Sequence, residues 1–292
     1  MMKLTSYILI LALVTLCFAG CGGSVETYDI AATTLPVYQF TSMLVEGTGL
    51  TVTRLVTESV SCLHDYSLNV RQVKAVESAD LIVINGAGLE EFMEDILSGK
   101  QIIDASVGIP LLESCHDHDH SEDDHHHEAD SHIWLSPSNA MVMAKNICDS
   151  LSAHYPQHAK QFQWNMILLL TQLKMLLDYG NENLSGLQSR ELVTFHDGFS
   201  YFAQCFDLQI LAAVEEEAGS ETSAHKLIEL IELVEHHNIQ AIFTESNGSD
   251  ASAKVIAAET GAGLYTLDMA MAGDDYFAAM YHNIDTIKEA LQ

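Results

Sequence analysis

Apolar residues follow two rhythms along this chain, and the alternation between the two gives its first architectural reading. Short runs at Tyr28–Thr33 and Thr51–Val56 have the character of strands, and the intervening Pro36–Glu46 carries helical spacing. A helix over Asn69–Glu77, the apolar run Leu81–Gly86 and a helix over Leu89–Leu97 continue the pattern. Leu81, Ile82, Val83 and Ile84, closed by Gly86, suit a parallel strand covered on both faces. Pro137–Ser152 then reads as a helix. A longer one opens at Pro156 and is expected to stop near Tyr179, where Gly180 and Asn181 follow. Phe162, Met166, Leu169, Leu173 and Leu176 keep one stripe along it, and Ile167–Leu170 reads as buried helix rather than membrane span. Trp134 and Trp164 are expected to be packing residues.

The second half repeats the alternation. Strands are expected at Glu191–Phe195, Gln209–Val214, Ala241–Thr244 and Leu264–Leu267, with helices at Gly198–Cys205, Ser223–His236, Ala251–Thr260 and onward from Tyr276. The fold class is therefore α/β: two lobes, each a parallel sheet flanked by helices, joined by one long helix acting as a connecting rod. The partition is residues 26–155 for the first lobe, 156–182 for the rod and 183–292 for the second lobe. A histidine- and aspartate-rich loop occupies residues 115–130 of the first lobe.

The N-terminus changes the compartment. Lys3, the apolar stretch ILILALVTL and the small residues Ala19 and Gly20 before Cys21 read as a secretory signal over residues 1–20, with lipidation at Cys21. Phe18 departs from the usual aliphatic residue, and an ordinary signal cut near Gly20 is the alternative. The expected location is extracytoplasmic, lipid-anchored to the outer face of the cytoplasmic membrane, or periplasmic. Twelve basic against forty-one acidic residues give a formal net charge of −29, which excludes nucleic acid as a partner and favours cations. Cys62, Cys115, Cys148 and Cys205 lack the close spacing of a zinc ribbon or redox pair, and their pairing stays open.

Candidate chemistry lies in two places. His116, His118, His120, His125, His126 and His127 are interleaved with carboxylates in HDHDHSEDDHHHEAD, which suits loose capture of divalent cations. A solvated acidic loop is the plainer reading. A rigid site needs donors held by the fold, and four stand at or beyond expected strand ends: His64, His132, His196 and Asp268. Ligands bind beyond the carboxyl ends of parallel strands, so two lobes could close on one ion there. Three imidazoles and a carboxylate suit tetrahedral zinc, with bonds of about 2.0–2.2 Å. Asp197 is a candidate orienter of His196, and Glu245 is either a cleft residue or an ordinary loop carboxylate.

Several phrases together resemble a known family: TTLPVYQF, CLHDYSLNVRQVKAVESADLIVINGAGLEEFM, DSHIWLSPSNAMVMAKNI, VTFHDGFSYFAQCFDLQI, IFTESNGSDASAKVIAAETGA and LDMA. The chain resembles the TroA-like (ZnuA-like) solute-binding proteins of zinc and manganese ABC transporters over roughly Ala31 to Leu291. The resemblance implies a rigid connecting helix, a metal between the lobes held by His64, His132, His196 and Asp268, and no enzymatic activity. It further implies delivery of the ion to an ABC-transporter permease with its ATPase, by a monomer. Ser67 and Leu68 stand where the family has Glu-Pro after its HDY, and Ser136 stands where it has Asp. Manganese-preferring members commonly have a carboxylate at the position of His196, so zinc is expected and manganese or iron is the alternative. A metal-binding adhesin or store is a further alternative. A zinc hydrolase is disfavoured, because the chain lacks HExxH, GxSxG and Walker motifs.

Overall fold

The computed structural model describes residues 27–58, 63, 66–113, 129–215, 222–246 and 250–292. The first sheet is built from β1 (Ile30–Ala32), β2 (Val52–Arg54), β3 (Leu81–Ile84) and β4 (Ile102–Asp104). Its helices are α1 (Leu35–Val45), α2 (Val70–Ser78), the short α3 (Glu94–Leu97) and α4 (Pro137–His154). The rod is α5 (Ala159–Leu184). Beyond it come β5 (Glu191–Thr194), α6 (Ser200–Cys205), β6 (Gln209–Ala213), α7 (Ala224–His237), β7 (Ala241–Glu245), α8 (Ala251–Thr260), β8 (Gly263–Leu267) and α9 (Tyr276–Leu291).

Both sheets are parallel and share one topology, β2-β1-β3-β4 and β6-β5-β7-β8. In such an order the chain leaves the two central strands in opposite directions, which opens a crevice at their carboxyl ends. The crevices therefore lie between β1 and β3 and between β5 and β7. Strand β4 is absent from the sequence-based reading; it is only three residues long, and Ile102 is exposed, so its pattern is weak.

Alternate residues of each strand enter different cores, as a pleated sheet covered on both sides requires. Ala31 and Ile82 pack outward with Val76, Ala79, Met93 and Leu97 under α2 and α3. Val193 and Ile242 pack outward with Leu230, Val234, Ala253 and Ile256 under α7 and α8. The inward faces meet in one continuous core. Ile30, Val83, Leu192 and Phe243 all belong to it, along with Phe40 of α1, Ile147 of α4, Leu169, Leu173 and Leu176 of α5, and Ile284 of α9. The two lobes are thus joined by shared packing as well as by the rod.

Hydrogen bonds near the crevices cross from lobe to lobe. The indole Nε1 of Trp134 donates to Met269 O at 2.7 Å, and Tyr276 Oη donates to Trp134 O at 2.7 Å. Leu35 N donates to Met271 O at 3.2 Å, and Arg54 Nη1 to Gly273 O at 2.6 Å. Buried polar groups of Trp and Tyr need such partners, and here the partners belong to the opposite lobe.

Three expectations about the rod and its surroundings are corrected. Gly180 does not end α5, which continues to Leu184; a Cβ at Gly180 would lie 2.2 Å from Phe206 Cε1, so glycine serves close packing there. Ile167 and Leu168 are exposed rather than buried, because they lie off the Phe162–Leu169–Leu173–Leu176 stripe that faces the core. Trp164 is 60% exposed and does not pack, whereas Trp134 is fully buried. Cys148 and Cys205 are free thiols; Cys62 and Cys115 lie outside the described residues.

Gly180→Ala sets helix propensity against packing. Propensity favours alanine by about 1 kcal/mol, whereas overpacking against the buried Phe206 ring costs about 1–3 kcal/mol. The variant is expected to be less stable by urea denaturation, and a stabilised variant would show that the Phe206 ring yields freely.

Candidate metal cleft

At the first crevice a buried carboxylate ties together the loops that diverge from β1 and β3. Glu90 accepts from Thr33 Oγ1 at 2.6 Å, Asn85 N at 2.8 Å and Gly86 N at 3.0 Å. Asn85 Nδ2 in turn donates to Ser131 O at 3.1 Å, which fixes the residue before His132. Burial raises the Glu90 carboxyl from the ordinary 4.5 to about 7, opposed by those three hydrogen bonds and assisted by the charge of Asp104.

His132 enters the cleft just ahead of the 3₁₀ turn Ile133–Leu135, whose three side chains are fully buried. Its Nδ1 lies 2.8 Å from Asp130 Oδ1, which also accepts from His132 N at 2.9 Å. Asp130 O accepts from Tyr201 Oη of α6 at 3.0 Å, so the second lobe holds this segment in place. Ser136 is the N-cap of α4, accepting from Asn139 N at 3.3 Å.

His196 follows the end of β5 at the second crevice. Its ring packs edge-on to that of His132, with centroids 5.4 Å apart, so two of the expected donors, one from each lobe, come together. Its Nδ1 forms an ion pair with Glu245 Oε1, and its Nε2 is buried without a hydrogen-bond partner among the described residues. Gly198 packs close to that atom: a Cβ there would lie 2.7 Å from His196 Nε2 and 2.7 Å from Met269 Cε, so glycine is what the position accepts. Burial lowers the His196 pKa, yet the hydrogen bond and charge of Glu245, with the charges of Asp197 and Asp130, outweigh it and hold the ring above the ordinary 6.5.

Asp268 stands directly after β8, whose Leu267 pairs with Glu245 of β7. Asn283 brackets it, accepting from Asp268 N at 2.8 Å and donating Nδ2 to Asp268 O at 2.7 Å. Its Oδ1 accepts from Ala270 N at 2.8 Å. His64, the tract His116–His127 and Cys21 lie outside the described residues, and among those described no three His, Cys, Asp or Glu side chains form a metal-holding group by themselves. A buried imidazole nitrogen without a hydrogen-bond partner among the described residues is nevertheless the feature a metal donor offers.

The carboxylate against His196 is that of Glu245, not the neighbouring Asp197, whose Oδ1 accepts from Ser200 Oγ at 3.2 Å. Strand register is the signal that finds it. Val193 pairs with Ile242 and Thr194 with Phe243; two residues further in step, His196 faces Glu245. Asp130 and Glu90 were not singled out in the sequence, because a single acidic residue in an acidic chain carries no distinguishing signal.

The family described as "ZnuA: Zinc-uptake complex component A periplasmic" matches residues 30–290. The chain belongs to this zinc-uptake component A family. It is 31% identical over 278 residues to the zinc-binding lipoprotein AdcA of Streptococcus pneumoniae, covering 89% of this chain and 55% of AdcA. It thus spans about half the length of the AdcA proteins it matches. A putative metal-binding protein of Treponema pallidum is 29% identical, with 85% of this chain and 83% of that one covered. A zinc-bound deletion mutant of ZnuA superposes with a TM-score of 0.78 at 28% identity, covering 91% of this chain and 99% of the other. The Zn(II)-bound ZnuA-like domain of S. pneumoniae AdcA does so with a TM-score of 0.75 at 28% identity, covering 91% and 99%. Two parallel four-stranded sheets with a long helix between them are the fold of this family member.

Glu90 makes stability depend on pH with a definite sign. The folded protein holds a proton on Glu90 between pH 4.5 and about 7 where the unfolded chain has lost it, so stability falls as pH rises through that window. The expected loss is up to about 3 kcal/mol. Urea midpoints of the metal-free protein across the window should fall less steeply in Glu90→Gln than in the wild type; parallel slopes would remove Glu90 as the cause.

Proposed function

We propose that this protein is an extracytoplasmic receptor that binds a divalent metal ion, zinc by preference, and delivers it to an ABC-transporter permease. The observation that carries the reading is the convergence of His132 and His196 across the cleft between lobes, with the Nε2 of His196 buried and unpartnered. His64, His132, His196 and Asp268 are the proposed donors. Neutral imidazoles at three of four positions favour zinc over manganese, a harder ion better served by oxygen. The relatives named for zinc support the same choice.

In this reading the loop His116–His127 collects ions at low affinity and passes them to the cleft, and Cys21 carries the lipid that keeps the receptor at the membrane. Among the described residues no helix is long and apolar enough to cross a membrane. The charge of −29 attracts cations toward the cleft. Docking on the permease then displaces the donors and releases the ion.

Competitive titration of the purified protein with zinc and manganese, with elemental analysis, tests the reading. One tight zinc ion plus weaker loop-bound ions is the expected stoichiometry. Deleting residues 116–127 should reduce the number of weak ions and spare the tight one, whereas His196→Ala should abolish tight binding. Loss of the tight ion on loop deletion would overturn the division of labour.

The tight site should also lose zinc on acidification. His196 retains its proton to higher pH than an ordinary histidine, and zinc must displace that proton. Affinity is therefore expected to begin falling above pH 6.5 as pH decreases, measured by titration at stepped pH. A flat profile from pH 8 to about 5.5 would contradict proton competition at this ring.

A further inference from the structure

We infer that Glu245 is the positioning residue of the cleft: its carboxylate keeps the hydrogen of the His196 ring on Nδ1 and so turns the Nε2 lone pair toward the divalent cation. The inference rests on the reading of His196 as a metal donor. A carboxylate only accepts, so the ring nitrogen against it must carry the hydrogen, which leaves the other nitrogen as the electron-pair donor. Nδ1 is against Glu245 Oε1, and Nε2, beside Gly198, is buried without a hydrogen-bond partner among the described residues.

The backbone enforces this pairing. His196 and Glu245 stand side by side because the β5–β7 register, continued two residues past Thr194 and Phe243, brings them opposite each other. Thr194 Oγ1 donates to His196 O at 3.1 Å, fixing the backbone on which the ring is mounted. His196 is 4% and Glu245 6% exposed, so water does not compete for either partner. A carboxylate so deeply buried is strongly unfavourable unless it serves a partner, and the ring is the partner present. The same construction recurs across the cleft, where Asp130 takes Nδ1 of His132. Each lobe thus offers an imidazole oriented by its own carboxylate.

A merely structural glutamate would affect folding and leave the hydrogen position on the ring unchanged, which makes tautomer state the discriminating readout. Nitrogen-15 histidine NMR of the metal-free full chain, recorded above the pH at which the His196 imidazolium loses its second proton, should find the ring in the Nδ1–H form. Glu245→Ala should shift it toward Nε2–H and weaken zinc binding about 10- to 100-fold. Glu245→Gln retains an acceptor oxygen; it should keep the Nδ1–H form, with a smaller loss. Should the alanine variant fail to fold, Glu245→Met, similar in volume and lacking an oxygen, repeats the measurement in a filled site. An unchanged Nδ1–H ring with zinc affinity within about twofold of wild type in the variants lacking the acceptor would overturn the inference. Zinc still bound tightly by His196→Ala would instead overturn the reading of the cleft on which the inference depends.

Discussion

One apolar core runs from the inward face of the first sheet, past α1, α4 and α5, to the inward face of the second sheet and α9. Protein interiors are close-packed and resist continuous deformation, so this continuity fixes the gap between the two carboxyl edges. A cleft made from two independent domains would need to lose orientational freedom each time it closed on an ion. Here that ordering is built in at folding. The hydrogen bonds of Trp134, Tyr276, Leu35 and Arg54 to the opposite lobe reinforce the arrangement beside the cleft itself.

Each sheet concentrates its polar chemistry where its central strands diverge, and each does so with a buried glutamate. Glu90 gathers Thr33, Asn85 and Gly86 at the first crevice; Glu245 meets His196 at the second. The two environments have different consequences. Three neutral donors do not fully offset burial at Glu90, whose carboxyl rises to about 7. At the second crevice the imidazole is the group whose proton is held more tightly, because the surrounding carboxylates outweigh the desolvation of the ring.

The segment that carries His132 runs directly into the capped start of α4. Ser136 caps α4, and the buried Ile133–Leu135 segment lies between it and His132. The requirement at this point is a side-chain oxygen for the first turn of a helix, which the serine supplies.

Much of the architecture was legible in the sequence, because it depends on periodicity. Apolar runs such as Leu81–Ile84 and the Phe162–Leu176 stripe identified the strands and the rod, and the motif phrases identified the family. Composition and order along the chain also marked His132 and His196 as residues that end elements rather than fill them. Tertiary structure alone decided what those residues meet. Gly180 reads as a helix stop until Phe206 is packed against it, and Trp164 reads as core until the rod's orientation leaves it exposed. Glu245 reads equally as a cleft residue or a loop carboxylate until parallel pairing of β5 with β7 places it beside His196. Periodicity is a property of neighbours along the chain, whereas the partner of a buried charge is set by register between strands far apart in sequence.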